Sequence, residues 1–208
     1  MPSFDTLAAD LAEVGRLAYL RGWALGTSGN FSAVVERSPL TLAITSSGVD
    51  KGLLEADDIV EIDAQGRVRR GHGKPSAETA IHLAVARTTG AGAVLHTHSI
   101  WSTILSDGAG GLLPVEGYEM LKGLGGVSTH EHREALPVIE NTQDWNAAAP
   151  AVEALLRAHP AAHGFLIRGH GLYTWGRDLA EAQRHLEILE FLFEVMGRKR
   201  RGGTSWPQ

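Results

Sequence analysis

Between residues 30 and 63, three short segments, NFSAVVE, LTLAITSS and DIVEID, follow one another with turn-forming residues between them. Segments this short and this rich in β-branched residues read as successive strands. Helices flank them. Leu7, Leu11, Val14 and Ala18 recur at helical spacing and predict an amphipathic helix over 4–20 that stops near Gly22. A second helix is expected to start near Ser76, after Pro75, and to run to Gly90. GAVLHTH then reads as a strand. It is followed by a short helical stretch SIWSTILS, a glycine-rich region from 108 to 126 and an extended segment ALPVIE. The last third predicts a helix NAAAPAVEALLRAH, a strand GFLIR, a turn at GHG, a strand LYTW, and a final helix from Asp178 to about Arg198. Leu179, Ala182, Leu186, Leu189 and Phe193 give that last helix an apolar stripe. Strands and helices mixed in this way, without strict alternation, predict an α/β fold with a central mostly antiparallel sheet covered by helices. No segment repeats at a fixed period and none resembles a linker, so one domain over residues 1–208 is expected.

Composition narrows the function classes. A net charge of -5 argues against a nucleic-acid partner. The one basic cluster, GRKRR at 197–201, reads as a solvated tail after the last helix. The chain has no cysteine, which fits a reducing cytosol and leaves histidine and carboxylate as the available metal ligands. The first residues are acidic where a signal peptide would be positive, and no apolar run approaches the roughly 18 residues of a membrane span. A cytoplasmic protein without a membrane partner is expected.

His96 and His98 carry the clearest chemical signal, because side chains two apart on a strand leave the same face. Two polar residues at a strand end are the plainer alternative. A catalytic zinc typically takes three protein ligands and keeps an open position. Among the other histidines His170 has the best context, between two glycines directly after an apolar strand. His130 and His132 read as part of a polar loop, His72 as a solvated turn residue, and His82 and His185 as packed or surface residues of helices. His159 and His163 flank a helix end. Three small-residue loops, GTSGN, TSSGVDKG and GKPSAE, offer hydroxyls and backbone N–H groups suited to phosphate oxygens, with Lys74 and Ser76 at an expected helix start. Each also reads as a turn plus a cap. Glu78 and Glu119 both sit where a helical stretch begins beside such loops; helix-terminus charge and acid/base chemistry remain open for each.

The segments GTSGNFS, ITSSGVDK, KPSAET, AVLHTHS and GHGLYTWG, in this order, resemble the class II aldolase and adducin-type family over nearly the whole chain. The resemblance implies a three-layer α/β/α sandwich with a mostly antiparallel sheet and a homotetramer with active sites at subunit interfaces. It implies one Zn2+ per subunit held by His96, His98 and His170, and a substrate phosphate held around Asn30, Ser47, Gly48, Lys74 and Ser76. Within the family, GYEMLKGL and LPVIENTQD look like the methionine-salvage branch that dehydrates 5-methylthioribulose 1-phosphate to 2,3-diketo-5-methylthiopentyl 1-phosphate. There the glutamate of the EM pair is the acid/base, which maps to Glu119. In the sugar-phosphate aldolases the glutamate of the Ser-x-Glu segment moves the proton, and this chain keeps it as Glu78. Glu119 carries more weight because MLKG and ENT also match the dehydratase pattern. The alternatives are a class II aldolase or pentulose-phosphate 4-epimerase on a phosphorylated ketose, and a non-catalytic adducin-like interaction module.

Overall fold

A computed structural model describes residues 2–202, with side chains described through residue 200. The chain starts with helix α1 (Phe4–Leu20), capped by the Ser3 hydroxyl accepting from the Thr6 N–H. Four strands follow, β1 (Asn30–Arg37), β2 (Leu40–Thr45), β3 (Ile59–Asp63) and β4 (Val68–Arg70). Then come α2 (Thr79–Thr89), β5 (Ala93–Thr97), α3 (Ile100–Asp107), β6 (Leu112–Glu116) and β7 (Arg133–Ile139). The chain continues through α4 (Trp145–Ala158), β8 (Gly164–Ile167), β9 (Gly171–Gly176) and α5 (Leu179–Gly202). The nine strands form one sheet in the order β4-β3-β2-β1-β5-β9-β8-β7-β6. Every neighbouring pair is antiparallel except β7 with β8.

Strand alternation distributes the core. On β5, Ala93 and Leu95 join Leu11 of α1 and Leu189 and Phe193 of α5 on one face, whereas Val94 packs with Ile81 and Val85 of α2 and Val152 and Leu156 of α4 on the other. The result is the expected α/β/α sandwich. Among the described residues no helix is long and apolar enough to cross a membrane.

Several boundaries differ from the expectation. The second helix begins at Thr79, not near Ser76, because residues 76–78 form the turn before it. The glycine-rich region contains a strand, β6, with the alternating burial of a sheet edge; Pro114 is tolerated there because an edge strand leaves one row of N–H groups unpaired. β4 is exposed along its length, so no apolar pattern announces it. The basic cluster is not a tail: α5 continues through it, Arg198 pairs with Glu194, and Lys199 reaches the Tyr118 hydroxyl at 3.4 Å. The Arg201 side chain and residues 203–208 lie outside the described residues.

The β5/β9 pairing depends on one missing side chain. A Cβ on Gly171 would land on the Thr97 carbonyl oxygen. Gly171→Ala is therefore expected to destabilise the metal-free protein by about 3 kcal/mol, as forced overpacking against backbone does. Gly110→Ala, which meets open space, is the control. Equal thermal midpoints for the two variants would show that the strands tolerate the intrusion.

Candidate functional site

His96 shares the Val94 face of β5 and therefore points toward the α2/α4 layer. His98 follows one residue past the strand end, and His170 sits in the turn between β8 and β9. Antiparallel pairing of β5 with β9 brings that turn to the end of β5. The three Nε2 atoms lie 2.8 Å (His96 to His98), 3.0 Å (His98 to His170) and 3.3 Å (His96 to His170) apart. Glu78, at the N-cap of α2, adds its carboxylate: Oε2 is 3.3 Å from His96 Nε2 and Oε1 is 3.5 Å from His170 Nε2.

The protonation pattern decides what this cluster can hold. His96 Nδ1–H donates to the Leu172 carbonyl at 2.9 Å, and the His170 Nδ1 faces the Asn141 side-chain oxygen at 3.2 Å. Those contacts assign the ring protons to Nδ1 and leave Nε2 of both rings as lone pairs. Burial pushes all three imidazoles below the usual histidine value, His98 down to about 3 with the neighbouring rings adding to the effect. Neutral imidazoles are what metal coordination requires. Glu78 Oε1 is buried without a hydrogen-bond partner. The lone pairs of His96 and His170, converging with His98 Nε2 and a carboxylate, fit a divalent cation. Tyr173 stacks on His96 at 4.0 Å between ring centroids and fixes its plane.

A polar relay holds Glu78 in place. Asn30 is the cross-strand partner of His96, and its Nδ2 donates to Glu78 Oε2 at 2.6 Å and to Ser76 Oγ at 3.1 Å. Its Oδ1 accepts from His82 Nε2–H, and His82 Nδ1 accepts from the Ser32 hydroxyl at 2.7 Å. Asn30 is thus committed to orienting Glu78 and Ser76. His82 is fully buried, and desolvation pushes it down to about 4 against a smaller upward pull from Glu78.

The unfolded chain therefore takes up this proton first as pH falls. Stability contributed by neutral His82 is complete above about pH 6.5 and is lost as pH drops toward 4, by roughly 3 kcal/mol in total. Chemical denaturation of the metal-free protein at pH 7 and pH 5 should show a smaller acid loss in His82→Gln, by about 2 kcal/mol. An identical loss in both proteins would mean that His82 is not the group titrating.

The three small-residue loops meet at the same place. Asn30, Ser47, Gly48, Ser76 and Glu78 line a cavity of about 250 Å³ together with His98 and His170. Ser47 N–H donates to the Lys74 carbonyl at 2.7 Å, tying two of the loops together. The Lys74 side chain is exposed and lines a larger neighbouring depression of about 720 Å³ at the start of α2 and α4, which contains no histidine. Lys51 lines the small cavity and was not singled out by sequence. Its ammonium donates to the carbonyls of Val49 (2.9 Å) and Thr27 (3.3 Å), and burial lowers its pKa against the pull of Asp50 and Asp58. Behind β5, Thr97 Oγ1 donates to Glu190 at 2.9 Å; burial pushes that carboxyl up to about 7.

Glu119 lies elsewhere. It opens a 3-10 turn (Glu119–Gly123), its side chain is 69% exposed, and it pairs with Lys122 and faces His130 at 3.8 Å. It does not line the cavity of its own chain.

With this geometry in hand, comparison with known proteins is informative. The chain is 46% identical over 196 residues to a protein named methylthioribulose-1-phosphate dehydratase from Sorangium cellulosum, covering 92% of each chain. It is 46% identical to another of that name from Methylococcus capsulatus, covering 94% of this chain and 95% of that one. The crystal structure of an L-fuculose-1-phosphate aldolase from Thermus thermophilus superposes with a TM-score of 0.75 at 27% identity, covering 97% of this chain and 100% of the other. The model of the Class II Aldolase and Adducin N-terminal domain matches residues 9–196, and the chain belongs to that family.

Proposed function

We propose that this chain is a metal-dependent hydro-lyase that converts 5-methylthioribulose 1-phosphate to 2,3-diketo-5-methylthiopentyl 1-phosphate in methionine salvage, as a cytoplasmic enzyme of one domain. The observation that carries the reaction class is the convergence of three imidazole Nε2 atoms beside the Glu78 carboxylate. The substrate is chosen by similarity to the dehydratases.

In this reading His96, His98 and His170 hold one zinc ion. Zinc bound there supplies Lewis-acid polarisation of the substrate's carbonyl and hydroxyl oxygens. The loops around Asn30, Ser47, Gly48 and Ser76 receive the phosphate, with the buried charge of Lys51 nearby and Lys74 at the rim. Fixing the phosphate sets which carbon faces the cluster, so these loops supply positioning. Glu119 takes the proton from carbon 3 and returns one to the departing carbon 4 hydroxyl. Because Glu119 is exposed and away from its own cavity, the reading requires an oligomer, the homotetramer that the family resemblance implies, in which Glu119 of one chain serves the cavity of another. Glu78 stays at the cluster, held by Asn30.

A second reading has its own observation. Glu78 is the carboxylate at the cluster, as a proton carrier of an aldolase or 4-epimerase would be. Incubating the zinc-loaded protein with methylthioribulose 1-phosphate separates the two. Growth of diketone absorbance is expected; a retro-aldol fragment in its place would overturn the dehydratase assignment.

A further inference from the structure

A second group of ligand-type atoms lies at the opposite end of β8 from His170. His132 and Glu134 stand two apart at the start of β7, and His163 directly precedes β8. The parallel pairing of β7 with β8 sets these two strand starts side by side. The Glu134 side chain is 1% exposed, against 28% for His132 and 15% for His163. Its Oε1 accepts the His163 backbone N–H at 2.9 Å. Its Oε2 lies 2.9 Å from both His132 Nε2 and His163 Nδ1.

The far side of the His163 ring fixes its tautomer. His163 Nε2 is 2.8 Å from the Gly125 carbonyl oxygen, which can only accept, so Nε2 carries a proton. In the neutral ring Nδ1 then turns a lone pair toward a carboxylate oxygen at hydrogen-bond distance. Two acceptors at that separation need a cation between them, either a second ring proton or a metal ion. A ligating histidine that gives its other N–H to a backbone carbonyl is the usual arrangement around bound metals. Gly125 is itself held, because its N–H donates to His185 Nε2 at 2.9 Å while His185 Nδ1–H donates to the Trp175 carbonyl at 2.7 Å. The three ligand-type atoms lie within 4.8 Å of one another, beside a cavity of about 520 Å³ that can supply water to remaining coordination positions.

We propose that His132, Glu134 and His163 form a second divalent-metal site, of the zinc class by its two imidazoles and one carboxylate. Four residues of strand, roughly 13 Å, separate it from the turn that carries His170. Metal binding displaces the second ring proton to solvent and leaves the Nε2–H bond to Gly125 intact.

The test is zinc stoichiometry on the full chain after stripping with chelator, by equilibrium dialysis and elemental analysis. Two zinc ions per chain are expected for the unaltered protein, one for His132→Ala, one for His96→Ala and none for the double variant. Glu134→Gln should behave as His132→Ala does. If the buried change prevents folding, the partly exposed His132 still answers the question. As a second readout, zinc should still raise the melting temperature of His96→Ala, and this rise should vanish in the double variant. A single zinc per chain that His132→Ala leaves in place would overturn the proposal and assign the cluster to a proton alone. A single zinc lost in His132→Ala but kept in His96→Ala would support this site while sinking the reading of the other.

Discussion

Replacing His96 by alanine is expected to abolish zinc binding at the primary cluster and to lower turnover at least about a thousandfold. The ring is fully buried, its Nε2 lies within 3.3 Å of both partner nitrogens, and its Nδ1–H is anchored to Leu172. The magnitude follows from the several kcal/mol of charge stabilisation that a bound metal contributes, at 1.36 kcal/mol per factor of ten, or about 4 kcal/mol here. Metal analysis of the dialysed variant, with His132→Ala in the background to silence the second cluster, is the direct measurement. Zinc content unchanged by the substitution would remove His96 from the ligand set.

Glu119→Gln should leave zinc and substrate binding intact while kcat falls by about 10²–10⁴, the usual worth of general acid/base help. The amide preserves size and hydrogen-bonding capacity but cannot take a proton. Since Glu119 is exposed and outside its own cavity, mixing gives a sharper result than either variant alone. Glu119→Gln and His96→Ala chains, each strongly impaired alone, are expected to regain part of the activity when unfolded and reassembled together. In a mixed oligomer some intact clusters then meet an intact Glu119. Failure to complement, with mixed oligomers demonstrated, would place both groups in one chain's site and contradict the shared-site reading. Loss of metal in Glu119→Gln would instead make that residue a ligand.

How much of this was legible depended on whether the information is local. The His96/His98 pair is readable because strand alternation is a local rule, and His170 because flanking glycines mark a turn after an apolar strand. The meeting of the two is not local: it needs the β5/β9 register that sets His96 opposite Tyr173. Glu78 stood out from its neighbours, but its position against the imidazoles depends on α2 starting at Thr79 and on Asn30 pairing with His96 across β1/β5. His82 looked like any helical histidine, since only packing of α2 on the sheet buries it against Asn30 and Ser32. His132 and His163 read as a polar-loop residue and a helix-end residue. A parallel strand pair joining segments 29 positions apart makes them neighbours of the buried Glu134. Pro114 and the glycines around it concealed β6 for a different reason, because they are breakers whose cost vanishes at an edge.

The order of strands in the sheet carries a thermodynamic implication. Everything from β1 to β5 lies on one side of the β5/β9 seam, and everything from β6 to β9 on the other. His96 and His98 belong to the first half and His170 to the second, so an ion gripping all three rivets two separately threaded portions of the chain. In the His132→Ala background, where only this ion binds, each tenfold rise in free zinc well above its dissociation constant should therefore add about 1.4 kcal/mol of resistance to unfolding. Amide hydrogens along that seam should exchange more slowly by the same factor wherever exchange requires the two portions to part.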